Sequence, residues 1–265
     1  MKKHFLPALL LLCAVLTLSA AAAGTVYIAD SGSGDGKTAA APLGDLTAAY
    51  TALGEDGGTI VVVGKYTLRA AFVEPDHSGA VTVTQETDGA SYRTEAGSGV
   101  YFNSMRYILN GPTTFANITF RGKGADTKKN NGALLVAQFH PVKMGAGVEC
   151  PDFGAYTDIA SSFSIIGGAQ AGADKWNTLT DDLDAHITVE SGEFAIVAFS
   201  RQIDKLYTGM AHIELSGGTF HHIYLGAVNK GRGGDTDLTV TGGNFVGDFT
   251  AGASSKVAGS ITITL

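Results

Sequence analysis

The residues of this sequence best suited to chemistry fall into two groups. His186, Glu190, His212, Glu214 and Asp237 recur at similar places in successive segments, while the stretch from Asp174 to Asp184 holds the only tryptophan, Trp176, beside Asp181, Asp182 and Asp184. Imidazoles next to carboxylates suit proton transfer or metal ligation. An indole suits the face of a sugar ring and clustered carboxylates suit calcium, so calcium is the cofactor that the loop composition suggests. Each group also has a plainer reading, which the sequence alone favours. The first would be ordinary polar residues on a solvated sheet face, and the second an indole that pins its own loop to the body of the protein.

Three further features invite a chemical reading. The run GSGDGKT (32–38) resembles a phosphate-cradling loop, but Ser31 stands where the first glycine is needed, and the run AAAP (39–42) delays the helix that should begin at the lysine. It reads instead as a polar turn, and Asp30 and Asp35 lack the alternating acidic spacing of a calcium hand. Cys150 has no motif that links it to a histidine. None of the three defines a site.

For distant histidines and acids to meet, the chain must repeat. FSIIGGAQ (163–170), ITVESGEF (187–194), IELSGGTF (213–220) and LTVTGGNF (238–245) align, and a fifth unit begins at ITIT (261–264); the starts are 24, 26, 25 and 23 residues apart. Each unit alternates apolar and polar residues and then turns at glycine, the pattern of a half-buried strand. A unit of this length cannot bury its own apolar face. Stacked coils can, each lying about 4.8 Å from the last with like residues above like. His186, His212 and Asp237 then form an outward column, with Ser162 and Ser260 expected at its ends. Thr188, Glu214 and Thr239 form a second column, and Glu190, Ser216 and Thr241 a third. Arg201 and Arg232 lie on the turns that follow, so no base of the lyase type is evident on this face.

Earlier coils are expected at 81–84, 115–120 and 132–136, separated by polar excursions at 123–131 and 143–156. Ahead of them, Thr25 to Ala29 reads as a strand, Asp45 as the N-cap of a short amphipathic helix over 46–53, and Gly57 to Gly64 as a buried strand. The helix would cap the stack and shield its first apolar layer.

The first 23 residues have a basic start at Lys2 and Lys3, an apolar run and small residues before the cut, as in a secretory signal peptide. The expected organisation is thus a leader at 1–23, an entering strand and capping helix at 24–56, and coils from 57 to 265, interrupted inside a strand at Leu265. No further apolar run is long enough for a transmembrane segment. Removal of the leader takes two of the 18 basic residues and none of the 25 acidic ones. The acidic balance disfavours nucleic acid as a partner. Thirty-six glycines against six prolines indicate many tight turns.

The run YIADSGSGDG (27–36), followed by PLGDL (42–46) and GGTIVVVGKY (57–66), resembles the capped start of right-handed parallel β-helix proteins of the pectate-lyase-like superfamily. The I-x-I-x-G-G-x-F coils resemble those of secreted bacterial β-helix repeat proteins. The resemblance implies an all-β solenoid, a single right-handed parallel β-helix with a short N-terminal capping helix. It leaves the function open, because that superfamily holds lyases, hydrolases, tailspikes and adhesins. The hydrolase motifs of the superfamily are absent, and the only Asp-Asp pair, Asp181 with Asp182, falls in a loop. The expectation is an extracellular surface or adhesion protein with a polysaccharide or cell-envelope glycan as partner; the alternative is a polysaccharide-active enzyme that uses the outward Asp, Glu and His columns.

Overall fold

The computed structural model describes residues 24–87, 89–93, 96–122, 133–153, 162–173, 175–251 and 256–265. The proposed leader, the excursion at 123–131, Asp174 and part of the excursion at 143–156 lie outside the described residues.

The chain is a parallel β-helix. Nine strands stack side by side in one all-parallel sheet: Gly24–Ile28, Gly58–Val62, Val81–Thr84, Thr113–Ala116, Val142–Met144, Ala185–Val189, Met210–Leu215, Asp235–Val240 and Ile261–Thr264. A second sheet of seven strands runs from Phe72–Val73 to Asn244–Thr250, and a three-stranded sheet of Lys65–Thr67, Gly99–Tyr101 and Phe120–Arg121 adds a third side to the early coils. The alternation that suggested half-buried strands is visible in the burial: Ala185, Ile187 and Val189 are buried, whereas His186 and Thr188 face outward.

The interior is a continuous apolar column. Phe102, Phe120, Phe163 and Phe194 pack ring against ring in series, and Phe153 stacks on Phe163, with centroids of touching rings 5.1–5.5 Å apart. Glycine recurs in the coil pattern for a steric reason. Gly192, Gly218 and Gly243 occupy the same slot in three successive coils with φ of 102°, 94° and 110°, a backbone region that disfavours any side chain. A Cβ at Gly192 would also lie 2.4 Å from the Phe194 ring.

The expected helix is present at Leu46–Leu53, with the Asp45 carboxylate accepting from Ala48 N at 2.9 Å. Leu46, Ala49 and Tyr50 are buried against the first two strands of the long sheet, so the helix covers that end of the core. No described helix is long and apolar enough to cross a membrane.

Three expectations are corrected. The run FSIIGGAQ does not belong to the long sheet: Ser164–Ile166 pairs with Leu134–Val136 and Glu193–Val197 in the second sheet, and Ser162 is buried. The last strand is offset by two residues, since Leu238 pairs with Ile263, which puts Thr262 rather than Ser260 beside Asp237. The segment from Lys143 is not wholly an excursion, because Val142–Met144 is a strand of the long sheet.

Candidate functional site

The outer surface of the long sheet carries a row of side chains set by strand register. Thr25 pairs with Thr59, then follow Thr82, Thr114, Lys143, Thr188, Glu214, Thr239 and Thr264, one from each of the nine strands. Seven of these nine rungs are threonine. β-branched residues fit a pleated surface, so a threonine-rich face is itself favourable sheet chemistry. It also presents hydroxyls at a strand spacing of about 4.8 Å along the stack, interrupted at Lys143 and Glu214.

A second column flanks this row. His186 pairs with His212, His212 with Asp237, and Asp237 with Thr262. The two imidazoles are stacked, with ring centroids 4.8 Å apart and planes 13° from parallel. Ahead of His186, Pro141, Pro112 and Ala80 border a shallow depression shared with Lys143 and Thr188. The face therefore has a hydroxyl row, an apolar shelf and a histidine pair side by side.

The sequence candidates divide in a way their spacing did not foretell. His186 and His212 are joined by Asp184, which the sequence had grouped with the tryptophan loop. Asp184 sits two residues before His186, on the same side of the chain, and its Oδ1 accepts from Met210 N at 2.7 Å. Glu190 is bound to Lys143, Oε1 to Nζ at 2.6 Å. Glu214 is exposed in the threonine row, and Asp237 continues the histidine column.

Among the described residues, Asp181 and Asp182 of this loop join no metal-sized cluster. The Asp181 carbonyl accepts from Thr208 N at 2.7 Å, and its carboxylate lies 3.7 Å from Lys205 Nζ. Asp182 is exposed and Trp176 is half-buried. Both carboxylate oxygens of Asp30 accept from Thr67, from its N and its Oγ1, each at 2.7 Å, and Asp35 serves the local turn through Lys37 N. Arg201 bridges Gln170 and Val228, and Arg232 lies in a separate two-stranded sheet, so neither stands on a strand of the long sheet. Cys150 is buried, and burial pushes its thiol far above the usual range.

Lys143 is the cation that sequence reasoning missed. Its strand is only three residues long, and the polar sequence around it hides the alternation. A second missed group lies beneath the capping helix. Glu74 is fully buried and receives Tyr50 Oη, Thr113 Oγ1 at 3.1 Å and Asn110 N at 3.1 Å, while His77 Nε2 stands 3.0 Å from its Oε2. The other ring nitrogen of His77 lies 2.8 Å from the Gly79 carbonyl, to which it must donate. Burial pushes the Glu74 carboxyl above the usual carboxylate range, with the hydrogen bonds from His77 and Tyr50 opposing. For His77, burial pulls downward, but the bonds to Glu74 and Gly79 outweigh it and the ring is held above its ordinary value. The only sequence mark of this network is an acid and a histidine three apart, on either side of Pro75 and Asp76.

No protein-family model matches the chain, and no curated protein or solved structure is significantly similar to it.

Proposed function

We propose that the chain is a secreted, cell-surface β-helix protein of the pectate-lyase-like kind, which binds an extended polysaccharide or cell-envelope glycan along its long sheet without cleaving it. The observation that carries this reading is the nine-rung row from Thr25 to Thr264, seven of whose members are hydroxyls. A polymer lying along the stacking axis would meet a threonine hydroxyl at seven of the nine rungs, with Lys143 and Glu214 at the other two. Each such hydrogen bond contributes only about 0.5–1.5 kcal/mol net. Linked in one ligand, many weak contacts act together. Pro112 and Pro141 supply apolar edges beside the row for the hydrophobic faces of sugar rings. The leader at 1–23 supports export.

The alternative, a lyase or hydrolase, gains one point in its favour: Lys143 stands on the same face as His186 and Thr188. Its ammonium is engaged by Glu190, however, and a base of this kind must be free of its proton.

Affinity electrophoresis of the mature protein in gels that contain different polysaccharides tests the reading. Retardation by at least one polymer is expected, weakened about fivefold or more by the pair Thr82→Ala and Thr114→Ala, in line with the loss of one or two hydrogen bonds. A protein that no polymer retards, or one that releases unsaturated or reducing ends from the retarding polymer, overturns it.

A further inference from the structure

The column geometry points to a second kind of ligand, independent of whether a glycan binds. We propose that Asp184, His186 and His212 form a binding site for a divalent transition-metal ion of the zinc, nickel and copper class.

Three observations converge on it. One ligand atom from each of the three residues lies within 4.8 Å of those from the other two. The closeness follows from the fold: Asp184 and His186 are two residues apart and so share a side, while His212 is the direct register partner of His186 on the next strand. All three backbone positions are thus fixed by the sheet and its edge rather than by a free loop. Finally, Asp184 is already oriented. Its Oδ1 takes the Met210 N–H, which leaves the other carboxylate oxygen for a ligand, the arrangement by which outer partners hold metal-binding groups in place.

The donor set selects the ion. Two imidazoles and one carboxylate match borderline ions, whereas calcium and magnesium require oxygen shells of six or more. Bond lengths of about 2.0–2.2 Å put donors around one ion about 3–3.5 Å apart. The present spacing, at most 4.8 Å, therefore has to close by up to about 1.5 Å between neighbours, within the reach of side-chain rotation because Asp184 and His186 are exposed and His212 is half-buried. Stacked rings 4.8 Å apart set the direction of that closure, as each needs only to tilt toward its neighbour. Three protein ligands leave coordination positions open on the solvent side, as at metal sites that take an external ligand. Along the two strands, Thr188 and Glu214 of the central row follow His186 and His212 by two residues, on the same face.

Titration of zinc into the mature protein, in competition with a chromogenic chelator, tests the site. One ion per monomer is expected, with affinity falling about tenfold or more in His212→Ala and in His186→Ala, as removal of one of three ligands requires. Excess calcium should leave the zinc isotherm unchanged. Asp184→Asn should weaken binding less than either histidine change, and copper loaded at equimolar ratio should show two equivalent nitrogen couplings in its electron paramagnetic resonance spectrum. Circular dichroism of each variant establishes that it is folded, and His212→Gln provides a less disruptive substitute where the alanine is not. The proposal is overturned by undiminished zinc uptake in the His186→Ala, His212→Ala double variant, by nitrogen couplings that persist in it, or by half-stoichiometric binding that joins two chains.

Discussion

The phenolic oxygens of Tyr50 and Tyr107 lie 2.9 Å apart, one on the capping helix and the other on the strand Arg106–Ile108 of the second sheet. Tyr50 also donates to Glu74, whose carboxylate is held in turn by Asn110 and Thr113. Three separate stretches of chain, at Tyr50, at Glu74 with His77, and from Tyr107 to Thr113, therefore meet around one buried carboxyl, and the helix is clasped to the stack by more than apolar contact. Replacement of Glu74 by Ala leaves the Tyr50, Asn110 and Thr113 donors and His77 without their acceptor. The expected cost is about 3–5 kcal/mol, against about 1–2 kcal/mol for Tyr50→Phe, which removes one hydroxyl and keeps the ring. Urea unfolding of the two variants checks both the size and the order.

The same network makes stability depend on pH. Glu74 and His77 are both held above their ordinary values in the folded state, so the native protein retains protons that the unfolded chain releases. The contribution of each group is fully present below its unfolded value, about 4.3 for the carboxyl and about 6.5 for the imidazole, and is lost as pH rises through the folded value. Thermal midpoints are expected to fall between mildly acidic and mildly alkaline buffer. Glu74→Gln should flatten the slope, because it removes the carboxyl and the charge that raises His77. A slope identical in that variant would assign the pH response to other groups.

Cys150 supplies a probe of the core. It is buried in the same cluster as Phe153 and Phe163, and burial keeps its thiol protonated. Since the thiolate is the reactive species, alkylation of the native protein at neutral pH is expected to be slower than that of the urea-unfolded chain by orders of magnitude, read by mass spectrometry. Rapid native labelling would contradict the packing around it.

The legible and illegible parts of the fold differ in their physical signal. Burial alternates throughout the strands Ala185–Val189 and Met210–Leu215 and through Leu238 of Asp235–Val240, so their inward and outward residues obey period two, and the threonine and histidine columns follow. The same rule fails where it is symmetric. A slip of two residues leaves every side chain on its original face, and so Ile261 and Ile263 were indistinguishable as partners of Leu238. It fails again where burial is continuous: Ser164, Ile165 and Ile166 are all buried, and such a run carries no record of which sheet it joins. The approach of Asp184 to His212 was not legible, because it depends on the pairing of two neighbouring strands and not on distance along the sequence. The Glu74 clasp has no repeat at all, so periodicity could not reveal it.

The nearest-neighbour pairing of the long sheet has a mechanical consequence. Ile187, Ile213, Leu238 and Ile263 are successive partners, so each coil spends about 25 residues to advance by one strand. Drawn out, that length of chain spans about 85 Å at 3.3–3.6 Å per residue, for a rise of only about 4.8 Å in the intact stack. Tension along the axis would load a single seam at a time and peel coils in turn, each releasing many times its own height. Pulled from its two ends, this architecture is a reel of slack that yields stepwise instead of breaking at once.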